Sequence, residues 1–434
     1  MKRVIIIFSL LLPFFQLQAA DFKWLGNLDK VISVLPPSSS GLNEVCVLQS
    51  LQGVSLSVET AVPAAVRWYR YSNLGGGFAE ELTDVSVVDG MSRLNIVEPD
   101  MGYIIEDGNE RHAIWVVDYG QHEFTASALG PSSEKDCMNM ALNFSGNADE
   151  IVYYSINGRR LVLDREIRLA YRTLEPDQSS LAFNEKETSV SFVSLSGTIM
   201  VPAPLCATDF TLEGDRFLRE WGRAIEVTSP VVEPYAVSSL TSAVQTERDA
   251  DNEVNSGSGE SLGGSAPCII DFEAAVTDGA IFREWQFSRM ADFDVIDMRI
   301  SDLSFTHTFN EEGTTYVRFV CANSDGGCEH VGETYAVNIG TSSLKCPNAF
   351  SPGNADGVND EWKVSYASII DFECHIFDRY GRKMISLTHP SQGWDGKYKG
   401  KLVPSGAYFY VIKAKGADGR KYELSGDINI VNYE

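Results

Sequence analysis

Apolar and polar positions alternate with a period of two through most of the chain, and this predicts short β-strands rather than helices. After Cys46, the residues Val54, Leu56 and Val58 alternate and lead to Trp68-Tyr69-Arg70-Tyr71. After Cys137, the residues Met138, Met140, Leu142 and Phe144 do the same and lead to Tyr153-Tyr154. Cys206 with Phe210 and Leu212 leads to Trp221, and Cys268 with Ile270, Phe272, Ala274 and Val276 leads to Trp285. Turn chemistry punctuates these runs at Glu106-Asp107-Gly108-Asn109, at Asn157-Gly158 and at Asn323-Ser324-Asp325-Gly326-Gly327.

The recurrence divides the chain into modules of ~100 residues. We place the first at residues 21–124, with Ala113-Ile114-Trp115-Val116-Val117 as a core strand. The second spans 125–230 and the third 231–341. A core aromatic on the strand after a Cys-bearing strand resembles immunoglobulin-like sandwiches, so these aromatics are expected in cores. The third module also resembles a PKD-like (polycystic kidney disease-type) sandwich at Phe272-Glu273-Ala274, at 282–287, at 306–313 and at 316–323. Such modules act as spacers or bind proteins or glycans. Residues 247–267 are acidic and then rich in Gly and Ser, without apolar periodicity, and are expected to be disordered. They read as a long loop inside the third module, the rival being a linker with a partial module before it.

The last ninety residues carry the most specific pattern. Tyr408, Tyr410, Ile412 and Ala414 share one strand face, with Lys413 and Lys415 on the other. Four motifs follow in order: Pro347, Asn348, Phe350, Pro352, Asp356, Gly357, Asn359 and Asp360; then Arg379 and Gly381; then Gly393, Trp394, Asp395 and Gly396; then Pro404, Gly406 and Tyr408. In order and spacing they resemble the gliding-motility-associated C-terminal domain, the type B sorting signal of the type IX secretion system of Bacteroidota. The chain departs from that family's usual PNGDG run at 352–357, and has Tyr380 where the family has Trp. The resemblance implies a small β-sandwich sorting domain at 342–434, a partner in the secretion machinery at the outer membrane, and display at the cell surface or release. The expected fold is therefore all-β: tandem immunoglobulin-like and PKD-like sandwiches followed by this domain.

The start of the chain fits export. Residues 1–20 read as a secretory signal peptide: Lys2 and Arg3, an apolar run over 4–15, then Ala19-Ala20. That run is too short to span a bilayer, and no transmembrane span is expected. Net charge is −25, which argues against nucleic acid and anionic lipid as partners. From residue 345 to the end, 12 basic face 11 acidic residues, so the acidity lies upstream. Eight cysteines in an exported chain point to disulfides. The expected pairs lie within modules: Cys137 with Cys206, Cys346 with Cys374, and either Cys268 or Cys328 with Cys321. Cys46 has no evident partner.

There is no His-Glu-x-x-His and no nucleotide-binding glycine loop. Gly75-Gly76-Gly77 precedes no helical pattern and is not read as a phosphate cradle. Asn354, Asp356, Asn359 and Asp360 set oxygens one or two residues apart around a Gly, as a calcium loop would. The competing reading is a loop whose side chains bond their own backbone. No other cofactor is expected. Trp68, Tyr69 and Tyr71 are the best aromatic platform for a glycan, with Tyr69 expected on the face opposite the other two. The expected function is a non-enzymatic surface or secreted protein whose modules serve adhesion, spacing or signalling. The alternative is a polysaccharide-binding or hydrolytic protein carried by the same export signal.

Overall fold

The computed structural model describes residues 22–248, 250–255, 261–352 and 357–431. The expected signal peptide lies outside them. The described chain is almost entirely antiparallel β, in paired sheets that succeed one another along the sequence.

In the first module a four-stranded sheet runs in the order Phe22–Leu25, Ser55–Glu59, Met91–Leu94, Val85–Val88. It faces a six-stranded sheet whose centre is Glu44–Leu48, Glu110–Asp118, Met101–Asp107 and Arg67–Tyr71. Glu44–Leu48 pairs parallel with Glu110–Asp118. That sheet is buried on both sides. Cys46, Leu48, Trp68, Tyr103, Ile114 and Val116 point into the first module's sandwich. Val45, Val47, Tyr71, Ile104, Trp115 and Val117 point the other way, into one core continuous with Leu142, Ile151, Leu169 and Phe210 of the second module. A strand buried on both faces reads as an unbroken apolar run, and this is why Ala113 to Val117 lack alternation.

The expected glycan platform does not form. Trp68 and Tyr71 are both fully buried, in different cores. Their spacing of three puts Tyr71 on the face of Tyr69, not on that of Trp68.

The second module pairs Thr125–Lys135, Asn139–Asn147 and Thr198–Pro202 in one sheet, and Ala182–Phe192, Ile167–Asp177, Phe210–Glu213 and Glu226–Thr228 in another. Trp221 is not on a strand: it caps a short helix, Arg216–Glu220. The third module pairs Ser239–Gln245, Cys268–Val276 and Ser304–Phe309, facing a sheet built on Glu329–Ile339, Gly313–Ala322 and Phe282–Ser288. Its core is aromatic, with Phe272, Trp285, Phe287 and Phe319 in mutual contact.

The cysteines depart from the expected pairing. Cys137 bonds Cys328, 191 residues on, and joins the second module to the third. Cys206 is therefore not its partner, and Cys328 is not that of Cys321. Cys46, Cys206, Cys268, Cys321, Cys346 and Cys374 are thiols. Burial pushes Cys321 up to about 11 and Cys374 up to about 12, so both stay protonated at neutral pH and are poor nucleophiles.

The loop expected to be disordered is in large part ordered. Residues 250–255 and 261–267 are held against the terminal domain by hydrogen bonds across the seam, among them Asn252 Nδ2 to Val364 O and Ala266 N–H to Ser368 Oγ.

Candidate functional site

The terminal domain is a five-stranded sheet in the order Ala349–Phe350, Lys421–Ile430, Gly406–Gly416, Ile369–Phe377, Lys383–Leu387. A two-stranded sheet, Ser343–Lys345 with Ser365–Ala367, leads into it. Tyr408, Ile412 and Ala414 are buried, and Lys413 and Lys415 are exposed, as alternation requires.

The motif residues are spent mainly on folding. Trp362 and Trp394 are fully buried and exchange backbone hydrogen bonds of 2.9 and 3.0 Å. Each indole N–H finds a carbonyl: Trp362 donates to Pro347 O at 2.8 Å and Trp394 to Lys397 O at 3.0 Å. Trp394 lies between Phe350 and Tyr408, with ring centroids 5.5 and 5.2 Å away. The buried Tyr408 donates its hydroxyl proton to Pro404 O at 3.0 Å. Asn348 O accepts from the Asn429 backbone N–H at 2.9 Å, so the first motif is stitched to the last strand. Gly396 has φ +69°, and a Cβ there would lie 2.5 Å from Pro352 Cγ. The Asp395 carboxylate takes the Lys397 backbone N–H at 3.0 Å and its ammonium at 2.8 Å. Those hydrogen bonds hold the Asp395 carboxyl below its ordinary pKa, although partial burial opposes them.

Three of the motif positions have a different character. Asp378 closes the hairpin tip by accepting from the backbone N–H groups of Tyr380 and Arg382, each at 2.9 Å. This leaves Arg379 and Tyr380 exposed, the guanidinium 4.9 Å from the ring centroid, and Gly381 at φ +80°. The tip is one part of the pattern that packing does not consume.

Asn354 and Asp356, two of the four expected calcium ligands, lie outside the described residues. Asn359 has φ +54°, and its carbonyl accepts from Ser351 N–H at 2.8 Å. Asp360 Oδ2 accepts from Gly357 N–H at 2.8 Å. The described half of this loop closes on its own backbone. Among the described residues no three His, Cys, Asp or Glu side chains converge as a metal site.

The expected disulfide pair Cys346 and Cys374 sits in the domain's core as two thiols beside Tyr410. Burial, and then the neighbouring thiols, push the Tyr410 phenol up to about 12.

Residues at the joints between modules were not anticipated. Arg165 and Asp215 form a fully buried ion pair of 2.7 Å where the first module meets the second. Arg165 also donates to Asp149 O and His122 O, each at 2.8 Å. Tyr119 donates to Asp215 at 3.0 Å and accepts from Phe124 N–H at 3.1 Å. A lone Arg between two strands gives no sequence signal for this. Gly75-Gly76-Gly77 also finds its use here. Gly76 N–H donates to Ile156 O at 2.7 Å, and a Cβ on Gly75 would lie 2.5 Å from Gly158 N. The glycines let two turns from different modules touch.

Two family models match the chain. Residues 344–430 match the CHU_C type IX secretion signal domain, and residues 129–229 match a fibronectin type III domain. A comparison with curated proteins finds no match. Among solved structures, a tetra-tandem repeat from the extending region of a large adhesion protein aligns at 12% identity, over 88% of this chain and 96% of that one, with a TM-score of 0.23. Dimeric latent PorU from Porphyromonas gingivalis aligns at 10% identity over 74% and 35%, with a TM-score of 0.15. Three N-terminal domains of the bacteriophage RB49 highly immunogenic outer capsid protein align at 10% identity over 72% and 100%, with a TM-score of 0.22. Residues 344–430 are thus a type IX secretion sorting domain, with an immunoglobulin-like fibronectin type III module upstream of it at 129–229, and the sorting domain implies export to the cell surface or medium.

Proposed function

We propose that this chain, exported on its type IX sorting domain, is a non-enzymatic surface or secreted protein whose upstream sandwiches form a stiff stalk for adhesion, spacing or surface signalling. In this reading the first 20 residues take it across the inner membrane and the terminal domain engages the secretion machinery at the outer membrane. The match over 344–430 carries the reading, supported by motif residues that build one compact sandwich. The fused core of the first two modules and the disulfide between the second and third support a stalk rather than a flexible string. The polysaccharide alternative loses its motivating feature, because Trp68 and Tyr71 are buried.

The test compares a host with and without a working type IX system, probing intact cells and medium with an antibody to the first module. Loss of outside signal with build-up in the periplasm is expected in the secretion mutant. Equal signal in both hosts refutes the sorting role.

A further inference from the structure

The joint between the third module and the terminal domain is closed by a segment distant in sequence. Asn252 donates through Nδ2 to Val364 O at 2.7 Å and to Pro390 O at 2.8 Å. Val254 N–H donates to Tyr366 O at 2.7 Å, and Tyr366 N–H donates to Asn252 O at 3.1 Å, so Glu253 forms a parallel bridge with Tyr366. The Glu253 side chain is fully buried, 3.0 Å from Arg248 and 2.6 Å from Ser265 Oγ. Ser265 Oγ accepts in turn from Ser368 N–H at 2.7 Å. Ser368 Oγ, finally, donates to Gly340 O at 2.7 Å, in the connection between the two domains.

The geometry makes Ser365–Ala367 a middle strand. On one side it pairs with Ser343–Lys345, which is the connection itself. On the other it carries residues 252–254. The connection has little slack: Gly340 N–H donates to Gly264 O at 2.8 Å, and Ser342, 6% exposed, donates to Asp418 at 2.7 Å. An endopeptidase needs several residues of extended, unpaired chain, and here they are in a ladder.

We propose that residues 250–255 are a strap, an added strand supplied in cis to the edge of Ser365–Ala367, that fastens the terminal domain to the third module and shields their connection from proteolysis. It follows that the sorting domain stays on the protein after export until the strap opens. This last step rests on the export reading; the strap itself does not.

The test is limited tryptic digestion of the purified full chain, timing release of the 346–434 fragment by cleavage after the exposed Lys345. Asn252→Ala removes two hydrogen bonds and Val254→Pro removes a third donor. Together they should raise the open population, and with it the cleavage rate, by about ten- to a hundredfold. Asp251→Ala, which removes only the exposed ion pair to Lys363 (3.2 Å), should change the rate by less than about twofold. Release at the wild-type rate from the double variant, with unchanged circular dichroism, overturns the strap. Should the double variant not fold, hydrogen exchange on the wild-type chain decides: a slow Tyr366 amide is expected, and an unprotected one overturns the proposal. Because the purified chain is used, failure here is distinct from failure of the export test in cells.

Discussion

Asp215→Ala probes the first joint at its most sensitive point. The carboxylate is fully buried and serves four donors: Nε and Nη2 of Arg165, the Tyr119 hydroxyl and the Leu218 backbone N–H. Its removal leaves a guanidinium of 0% exposure without its counter-charge. Breaking one side of such a pair costs about 3–5 kcal/mol, and the Leu218 N–H loses a helix cap worth about 1 kcal/mol. These terms overlap, so we take about 4 kcal/mol in total. With a urea m-value of about 3 kcal/mol/M for this size of cooperative unit, the midpoint should fall by about 1.3 M. The melting temperature should fall by about 8–16 °C. The replacement Arg165→Met with Asp215→Leu removes both charges and should recover most of the loss. Urea titrations followed by far-UV circular dichroism and by tryptophan fluorescence measure all three proteins. Both signals should move together, because Trp115 and the second module share a core. A midpoint for Asp215→Ala within about 0.2 M of wild type refutes the reasoning, as does a double variant no more stable than the single one.

Three further outcomes are expected. Alkylating the unreduced, unfolded chain should label six cysteines and leave Cys137 and Cys328 in one linked peptide pair; recovery of a Cys137–Cys206 pair by mass spectrometry would contradict the inter-module bridge. Gly75→Ala should cost about 1–3 kcal/mol by denaturant titration, because φ is +85° and the new Cβ meets backbone at 2.5 Å, whereas Gly77→Ala, with open space around it, should cost under about 0.5 kcal/mol. His307 and His330 are both held below the ordinary histidine value of 6.5 by burial, and His330 Nδ1 accepts from Ser239 N–H at 3.2 Å. With the folded pKa depressed, the unfolded chain binds the proton first, so stability is full above pH 6.5 and falls as pH drops through 6.5 toward the folded values. Denaturant midpoints at pH 7.5 and 5.0 should show this fall, and His307→Gln with His330→Gln should flatten it.

What could be read from the residues was whatever lies within about ten positions of itself. Alternation placed the faces of Gly406–Gly416, and the four terminal motifs placed a domain whose tryptophans are indeed its core. The run Ala113 to Val117 also carried information, since five consecutive apolar residues mark a strand covered on both faces. By itself it reads as an ordinary sandwich strand, because nothing local says that the second cover is another module. Cysteine pairing failed for the same reason: Cys137 and Cys328 are 191 residues apart, and proximity in sequence favoured Cys206. The acidic loop misled through composition. Low apolar content predicts an inability to bury surface, but Asn252 and Glu253 are held by hydrogen bonds to carbonyls and serines, which composition does not count.

The three joints use three different devices, and each bears on how force or motion would pass along the chain. Between the first and second modules the apolar core is continuous and is pinned by Arg165, Asp215 and Tyr119. A hinge there would expose Trp115 and Val117 to water, at about 2–3 kcal/mol for each side chain, so bending is suppressed. Between the second and third the contact is thinner: the disulfide, the Lys135 ammonium 4.0 Å from the Tyr235 ring centroid, a hydrogen bond of 2.9 Å from Gln178 to Thr241 O, and the backbone bridge between Thr208 and Val232, with hydrogen bonds of 3.1 and 2.8 Å. A cavity of about 520 Å³ lies beside it, lined by Pro131, Met140, Pro204 and Val232 among others. Without the covalent bond this joint has the least to lose on opening, which is where a bridge adds most. Between the third module and the terminal domain the connection is short and laddered, and 252–254 extend the ladder. Whatever separates the sorting domain from its cargo must therefore first undo hydrogen bonds contributed by a loop nearly ninety residues upstream of the connection, and this makes separation a conformational event rather than a cut at an open linker.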